Sequence, residues 1–234
     1  RALDKAGLFM PSLHAPFVTM HTIWKKNDPA GDETISVLKQ CVDCCVDFEI
    51  PVLVCHAFIG FLDHTPTEAG LSRLAPLMEY GIQKKVKIAF ENTEGEEYLA
   101  AIMNRFADCE SLGFCWDTGH ELCYNRTKDM MALYGDKLVS THLNDNFGVT
   151  GEEITWLDDS HVLPFDGVAD WNGIADRLLK VGFTNPLTFE LTRQNKPERH
   201  THDGYAKWSV EEFFENAHER AARFAALMET LTAK

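Results

Sequence analysis

The sequence lacks several features that would assign it to a common class of protein. It has no stretch approaching the roughly 20 consecutive apolar residues that a membrane-spanning helix needs. No secretory signal peptide is visible, although the sequence begins at Arg1 without an initiator methionine. Basic residues are scarce, with 22 lysines and arginines against 36 aspartates and glutamates and a formal net charge of −14. That balance disfavours a surface that neutralises nucleic-acid phosphates and suits a small polar or metal-bound substrate.

The seven cysteines do not form the pattern of a disulfide framework. Cys41, Cys44 and Cys45 fall within one predicted helix, and Cys55 and Cys115 fall within predicted strands. Cys41 and Cys44 have the spacing of half a zinc site, but no second pair of cysteines or histidines stands near them. We therefore expect reduced, mostly buried thiols that act as small apolar side chains, and a cytoplasmic location.

Apolar runs alternate with helical segments at spacings of about 25 to 40 residues, which is typical of βαβ units in a parallel sheet. The predicted strands cover residues 8–14, 51–56, 86–91, 112–117, 137–142, 160–165 and 186–191. The main predicted helices cover residues 32–48, 67–83, 94–108, 126–134, 171–181 and 209–232.

Seven strands, each leading towards a helix, predict a single (β/α)8 TIM-barrel domain over residues 1–234. Residues 1–7 have the pattern of a last helical turn with a glycine cap. We therefore expect the first strand and most of the first helix to be missing from this chain and the natural chain to be longer. An open doubly wound sheet is the alternative, but no glycine-rich phosphate loop follows any predicted strand.

Six predicted strands end in a histidine or a carboxylate, and these are His14, His56, Glu91, Asp117, His142 and Glu190. In a barrel, the carboxyl ends of all strands meet at one rim. His120, Asp159 and His161 follow nearby and would join them. So many imidazoles and carboxylates would repel or desolvate one another unless a cation lay between them.

Mixed ligation by histidine, aspartate and glutamate suits Zn²⁺, Mn²⁺ or Co²⁺. A single histidine at a strand end is more often structural, but its recurrence at many strand ends favours a metal site. The strongest candidate ligands are Glu91, Asp117, His142 and Glu190. Five further residues are candidate ligands of an additional metal ion, with substrate contacts as the alternative: His14, His56, His120, Asp159 and His161. We expect loop or surface positions for His64, His200, His202 and His218.

Five segments together resemble one known family. They are Phe90-Glu-Asn-Thr, Trp116-Asp-Thr-Gly-His, Thr141-His-Leu-Asn-Asp-Asn, Asp159-Ser-His-Val-Leu-Pro-Phe-Asp-Gly and Phe189-Glu. Their order and spacing are similar to those of the xylose-isomerase-like TIM-barrel superfamily, which holds sugar isomerases and epimerases together with endonuclease IV. The resemblance spans nearly the whole chain, from His14 to Glu190.

The resemblance implies a metal held by the four strongest candidates. In the epimerase branch, the glutamates at the positions of Glu91 and Glu190 also move a proton on opposite faces of the substrate. Such chemistry is sound, because a metal that polarises a carbonyl acidifies the adjacent C–H bond. His120 would then hydrogen-bond a substrate oxygen. Trp116, Phe17 and Trp24 are candidate pocket walls, with core packing as the alternative for Trp116.

One departure from the family pattern concerns the residues after His142. The epimerases carry a substrate-binding arginine a few residues beyond this position, whereas residues 144–149 here contain no arginine or lysine. Arg193, just past Glu190, is a candidate replacement.

The favoured function is a metal-dependent isomerase or epimerase acting on a sugar, a sugar phosphate or an inositol-like compound. One alternative is a dehydratase or lyase on the same scaffold. Another is a zinc phosphodiesterase similar to endonuclease IV, which has nine ligands for three zinc ions; this chain has a candidate at each position. A non-catalytic binder is the last. We expect a small sugar-like partner, no membrane and no nucleic acid, with a homodimer as one candidate assembly.

Overall fold

The computed structural model describes residues 2–61, 65–126, 128–149 and 151–232. His64, set aside above as a loop residue, lies outside these ranges. The described chain forms two compact units. The N-terminal unit contains Arg1–Cys115 and Lys137–Ser140, and the C-terminal unit contains Trp116–Asp136 and Thr141–Lys234. One TIM-barrel domain over residues 1–234 stays a prediction.

The strands are β1 (Leu13–His14), β2 (Val52–His56), β3 (Lys87–Glu91), β4 (Leu112–Asp117) and β5 (Leu138–His142). They form one sheet in the order β1-β2-β3-β4-β5, and the pairs from β1 to β4 are parallel. The predicted parallel βα arrangement is thereby confirmed.

At least one helix follows each of these strands. The helices are α1 (Ala2–Ala6), α2 (Pro29–Asp47), α3 (Glu68–Lys84), α4 (Glu96–Arg105), α5 (Thr118–His120), α6 (Met130–Tyr134), α7 (Trp171–Lys180) and α8 (Val210–Thr232). Short 3-10 or π turns cover Met20–Trp24, Glu121–Asn125, Gly135–Lys137 and Asp203–Tyr205. Across the described part of the chain, no helix combines the length and the apolar character needed to cross a membrane.

One buried cluster of the N-terminal unit consists of side chains from the parallel strands. Val52, Val54, Ala89 and Cys115 form a buried cluster, against which Val139 packs. Strands buried in this way are continuous apolar runs, which is why the sequence marks them clearly. Four of the seven cysteines are buried, in agreement with the prediction of mostly buried thiols, and their reduced state stays a prediction.

Helix α2 begins one turn earlier than predicted. Its N-cap is Asp28, whose side chain accepts a hydrogen bond from the Ala30 amide, and not Asp32. Pro29 stands at the first helical position, where its fixed φ favours a helix and its missing N–H costs nothing.

Three predicted strands are wrong in extent. The strand predicted over 8–14 is reduced to Leu13–His14, because Pro11 lacks the N–H that a strand ladder uses. Within the described residues, the strands predicted over 160–165 and 186–191 are replaced by single bridges, Asp145 with Val162 and Leu143 with Phe189. The segment 160–165 cannot be extended throughout, because His161 and Phe165 both have positive φ.

The C-terminal unit has its own apolar cluster. Val162, Leu163, Tyr205 and Phe213 are buried together. Asp145, which lies just after β5, accepts hydrogen bonds from the Ala169 amide and from the indole of Trp171 at the start of α7. The segment after β5 is therefore fixed to the N-terminus of α7.

Candidate metal and substrate site

The first group of predicted residues lies in the N-terminal unit and is called the Glu91 group: His14, His56 and Glu91. Parallel register places His56 directly beside Glu91. The Nε2 atoms of His14 and His56 each lie 3.3 Å from Glu91 Oε2. Glu91 has no exposed surface. One buried carboxylate oxygen therefore meets two imidazoles from neighbouring strand ends.

Two aromatic side chains near this group differ in their surroundings. Phe17 stacks on His56 with 4.4 Å between ring centroids and remains partly exposed. Trp24 is buried, and its indole donates a hydrogen bond to the carbonyl of Ala57 at 2.9 Å. Phe17 is therefore placed to contact a small molecule bound at the two histidines, whereas the burial and hydrogen bond of Trp24 favour core packing.

In the C-terminal unit, Asp117 is held by its own turn. One carboxylate oxygen accepts from the His120 amide at 2.7 Å and caps helix α5. The other accepts from the side-chain amide of Asn144 at 2.9 Å. A Cβ on Gly119 would lie 1.9 Å from the Asn144 Oδ1, so only glycine leaves room for this asparagine. The Thr-Gly pair in the motif thus positions the carboxylate.

The second group, called the ligand group, consists of Asp117, His142 and Glu190. One ligand atom from each lies within 4.8 Å of those of the other two. His142 Nδ1 is 3.0 Å from Glu190 Oε2, and the bridge between Leu143 and Phe189 brings their two chain segments together. Two carboxylates and an imidazole are a donor set that Zn²⁺, Mn²⁺ and Co²⁺ accept. The residues therefore fit a divalent metal.

The third group, called the Asp159 group, surrounds one carboxylate with three nitrogen donors. Asp159 Oδ1 lies 2.7 Å from His161 Nε2 and 3.4 Å from His120 Nε2. Asp159 Oδ2 lies 3.0 Å from Lys196 Nζ. Burial raises the pKa of Asp159, but the two imidazoles hold it well below its usual range. Burial lowers the pKa of His161, but the Asp159 carboxylate raises it to about 9.

Lys196 was missed by the strand-end pattern. It lies in the loop after Glu190, within the basic stretch of residues 193–200. Its ammonium group also donates to the Trp156 carbonyl at 2.6 Å. Sequence alone marks it as one basic residue among several, because the partner that distinguishes it comes from a different loop.

Two other residues of this loop bear on the predictions. Arg193 donates to the carbonyl of Trp208 at 3.0 Å, and its substrate role stays a prediction. His202 lies in a loop, as predicted, but it is buried rather than at the surface and contacts Thr192 at 3.0 Å through Nε2.

Trp116 has no exposed surface. Its indole donates to Glu121 at 2.9 Å, and the guanidinium of Arg177 lies 4.5 Å from the centre of its ring. These contacts favour the core role that was the alternative to a pocket wall.

Comparison with known proteins adds a family and a fold. A family model described as xylose isomerase-like TIM barrel matches residues 1–220. The y4fM protein of Sinorhizobium fredii, described as uncharacterized, is 28% identical over 222 residues, covering 81% of this chain and 68% of that protein.

Several solved structures are similar. The IolI protein with a bound zinc atom has a TM-score of 0.71 and 18% identity, covering 93% of this chain and 76% of that one. The xylose isomerase domain protein from Planctomyces limnophilus has a TM-score of 0.73 and 14% identity, covering 100% of this chain and 82% of that one. An L-ribulose 3-epimerase has a TM-score of 0.71 and 14% identity, covering 99% of this chain and 80% of that one. At such identities the likeness establishes the fold and not the reaction.

Proposed function

The chain belongs to the xylose isomerase-like TIM-barrel family, and from this premise we propose that it is a metal-dependent sugar isomerase or epimerase. The observation that carries the proposal is the ligand group, in which Asp117, His142 and Glu190 bring their donor atoms within 4.8 Å of one another. The zinc atom in the IolI structure and the epimerases among the structural neighbours support it.

The proposed metal is Zn²⁺, Mn²⁺ or Co²⁺. Asp117, His142 and Glu190 would hold it, and Glu91 is proposed as a fourth ligand because it too ends a strand of the parallel sheet. When bound, the metal polarises a sugar carbonyl and so acidifies the neighbouring C–H bond.

The proton transfer is assigned to the protein's own carboxylates. The side chain of Glu190 is 42% exposed, so one oxygen can face a substrate carbon. His142 lies 3.0 Å from Glu190 Oε2 and orients that carboxylate. Glu190 takes the proton from one face of the sugar, and Glu91 is proposed to return it on the other. His120, beside Asp159, is proposed to contact a sugar hydroxyl.

The proposed substrate is a small sugar, sugar phosphate or inositol-like compound carrying a carbonyl. A dehydratase would use the same proton abstraction but would release water. A phosphodiesterase would bind several metal ions and would not exchange a substrate C–H with solvent. A non-catalytic binder would show neither bound metal nor exchange. The homodimer and the cytoplasmic location stay predictions.

Exchange of substrate C–H with solvent deuterium tests the proposal. Full-length protein loaded with Mn²⁺, Co²⁺ or Zn²⁺ is incubated with a panel of ketoses and inososes in D₂O and followed by NMR. Glu190→Gln and Glu91→Gln should slow exchange about 10²- to 10⁴-fold, the usual contribution of a general acid or base. Glu215→Gln, on the exposed face of α8, is the matched control. Exchange at the normal rate in both site variants would refute the two-glutamate mechanism.

A further inference from the structure

The Asp159 group already contains a cation supplied by the protein. Asp159 Oδ2 pairs with Lys196 Nζ at 3.0 Å, while the other oxygen faces His161 and His120. The side chains of Asp159 and Lys196 are 16% and 21% exposed, so water screens the attraction between their charges only partly. The negative charge of Asp159 is thus balanced without a metal.

The loop that carries Lys196 is held in place by further contacts. The side chain of Asn195 accepts from the His202 amide at 2.7 Å, and Arg199 lies 3.5 Å from Asp158. Lys196 itself binds the Trp156 carbonyl and lies over the Trp156 ring. These contacts therefore hold the Lys196 ammonium group beside the Asp159 carboxylate whether or not a ligand is bound.

The same place offers a donor set for another metal ion. Ligand atoms of Asp117, His120 and His161 all lie within 4.8 Å of one another. Asp159 contacts both histidines and would be a further donor. A divalent ion bound there would share the Asp159 carboxylate with the ammonium and would be repelled by it, because both are cations on one carboxylate.

We propose that Lys196 takes the place of a second divalent metal ion at Asp117, His120, Asp159 and His161. The inference rests on the proposed function, because this second position shares Asp117 with the ligand group. It adds that a loop lysine sets the number of metal ions. It also makes Lys196 a positioning residue, because the Asp159 that it fixes in turn faces His120 and His161.

The experiment counts zinc. The samples are full-length wild-type protein and the variants Lys196→Met and Lys196→Arg, each saturated with Zn²⁺. Gel filtration removes unbound and weakly bound zinc, and elemental analysis then gives the zinc content per chain. Lys196→Met should retain about one zinc ion per chain more than the wild type, since the competing charge is gone. Lys196→Arg should retain the wild-type number, because the cation is kept.

Arg199→Met is the matched control, since it removes a cation of the same loop that pairs with Asp158 and not with Asp159. It should leave the zinc count unchanged. Equal counts in Lys196→Met and the wild type would overturn the proposal, as would an equal gain in Arg199→Met.

Two further measurements keep the result interpretable. Lys196→Gln, with a neutral polar head, is tested in parallel in case the methionine variant does not fold, and it carries the same expectation. Deuterium exchange separates this proposal from the function. A zinc gain without exchange in the wild type would overturn the function alone, whereas exchange without a zinc gain would overturn the role of Lys196 alone.

Discussion

The Glu91 group and the Asp159 group begin from the same chemistry and differ in one partner. Each has a carboxylate that faces two imidazoles at 2.7 to 3.4 Å, fully buried for Glu91 and largely buried for Asp159. Asp159 additionally meets the ammonium of Lys196, whereas Glu91 is the last residue of β3 and lies beside residues from β1 and β2. The first arrangement is built from strand ends and the second is completed by a loop.

This difference shows how far the strand-end rule extends. Parallel strands bring their last residues together, so histidines and carboxylates at those positions become neighbours. Whether such neighbours can take up a metal depends also on fixed charges that approach from loops. Lys196 supplies such a charge in the C-terminal unit.

The largest expected effect concerns Asp117. Asp117→Asn removes a charged donor of the ligand group, so zinc affinity should fall by more than about 100-fold, the upper end for losing a residue that merely supports a ligand. Competition with a chelating dye measures it. Asp136→Asn, an exposed carboxylate of the same unit, should change nothing. Unchanged affinity in Asp117→Asn would remove Asp117 from the proposed ligands.

A smaller loss is expected for Gly119→Ala. The new Cβ would collide with the Asn144 side chain and displace its amide from Asp117. Zinc affinity should fall about 10- to 100-fold, as for other residues that orient a ligand. Gly151→Ala is the control, because its Cβ would meet ordinary contacts at 3.7 Å or more. Equal affinities in the two variants would show that Asn144 does not position the carboxylate.

The comparison is sharpened by His56→Gln in the other group. If His56 contacts substrate, the KM for an exchanging sugar should rise about tenfold, the equivalent of one hydrogen bond, while zinc content stays the same. Steady-state exchange rates and elemental analysis give the two values. A loss of zinc comparable to that in Asp117→Asn would instead make His56 a ligand.

The smallest effects are expected for two tryptophans, one in each unit. Trp116→Phe and Trp24→Phe each remove an indole hydrogen bond, to Glu121 and to Ala57 respectively. Each should lower the free energy of unfolding by about 1 kcal/mol in a urea titration. Neither should change the KM for sugar. A higher KM in Trp116→Phe alone would restore its role as a pocket wall.

Much of the fold was predictable because its buried parallel strands are continuous apolar runs. Strands β2, β3, β4 and β5 lie within one or two residues of their predicted bounds. The long helices α3 and α8 do as well, since their apolar faces repeat with helical period. The strands predicted around Pro11 and His161 were overestimated, because apolar composition does not reveal a missing donor or a positive φ.

The candidate site divides in the same way. The contacts within the Glu91 group and the ligand group follow from strand ends and their order along the chain. The cap of Asp117, the asparagine above Gly119 and the ion pair of Lys196 do not. These depend on loops whose course is set by packing, and sequence spacing carries no signal for it. The burial of His202 was hidden for the same reason.

The hydrogen bonds of Asp145 determine which parts of the C-terminal unit unfold locally together. Asp145 lies three residues after His142, and its carboxylate accepts hydrogen bonds from the Ala169 amide and the Trp171 indole. The Val168 amide is bonded to the neighbouring Asn146 carbonyl. The stretch after β5 and the start of α7 must therefore open together, as one cooperative unit in amide hydrogen exchange. Local unfolding at the start of α7 would then also expose the amides of the segment that follows His142.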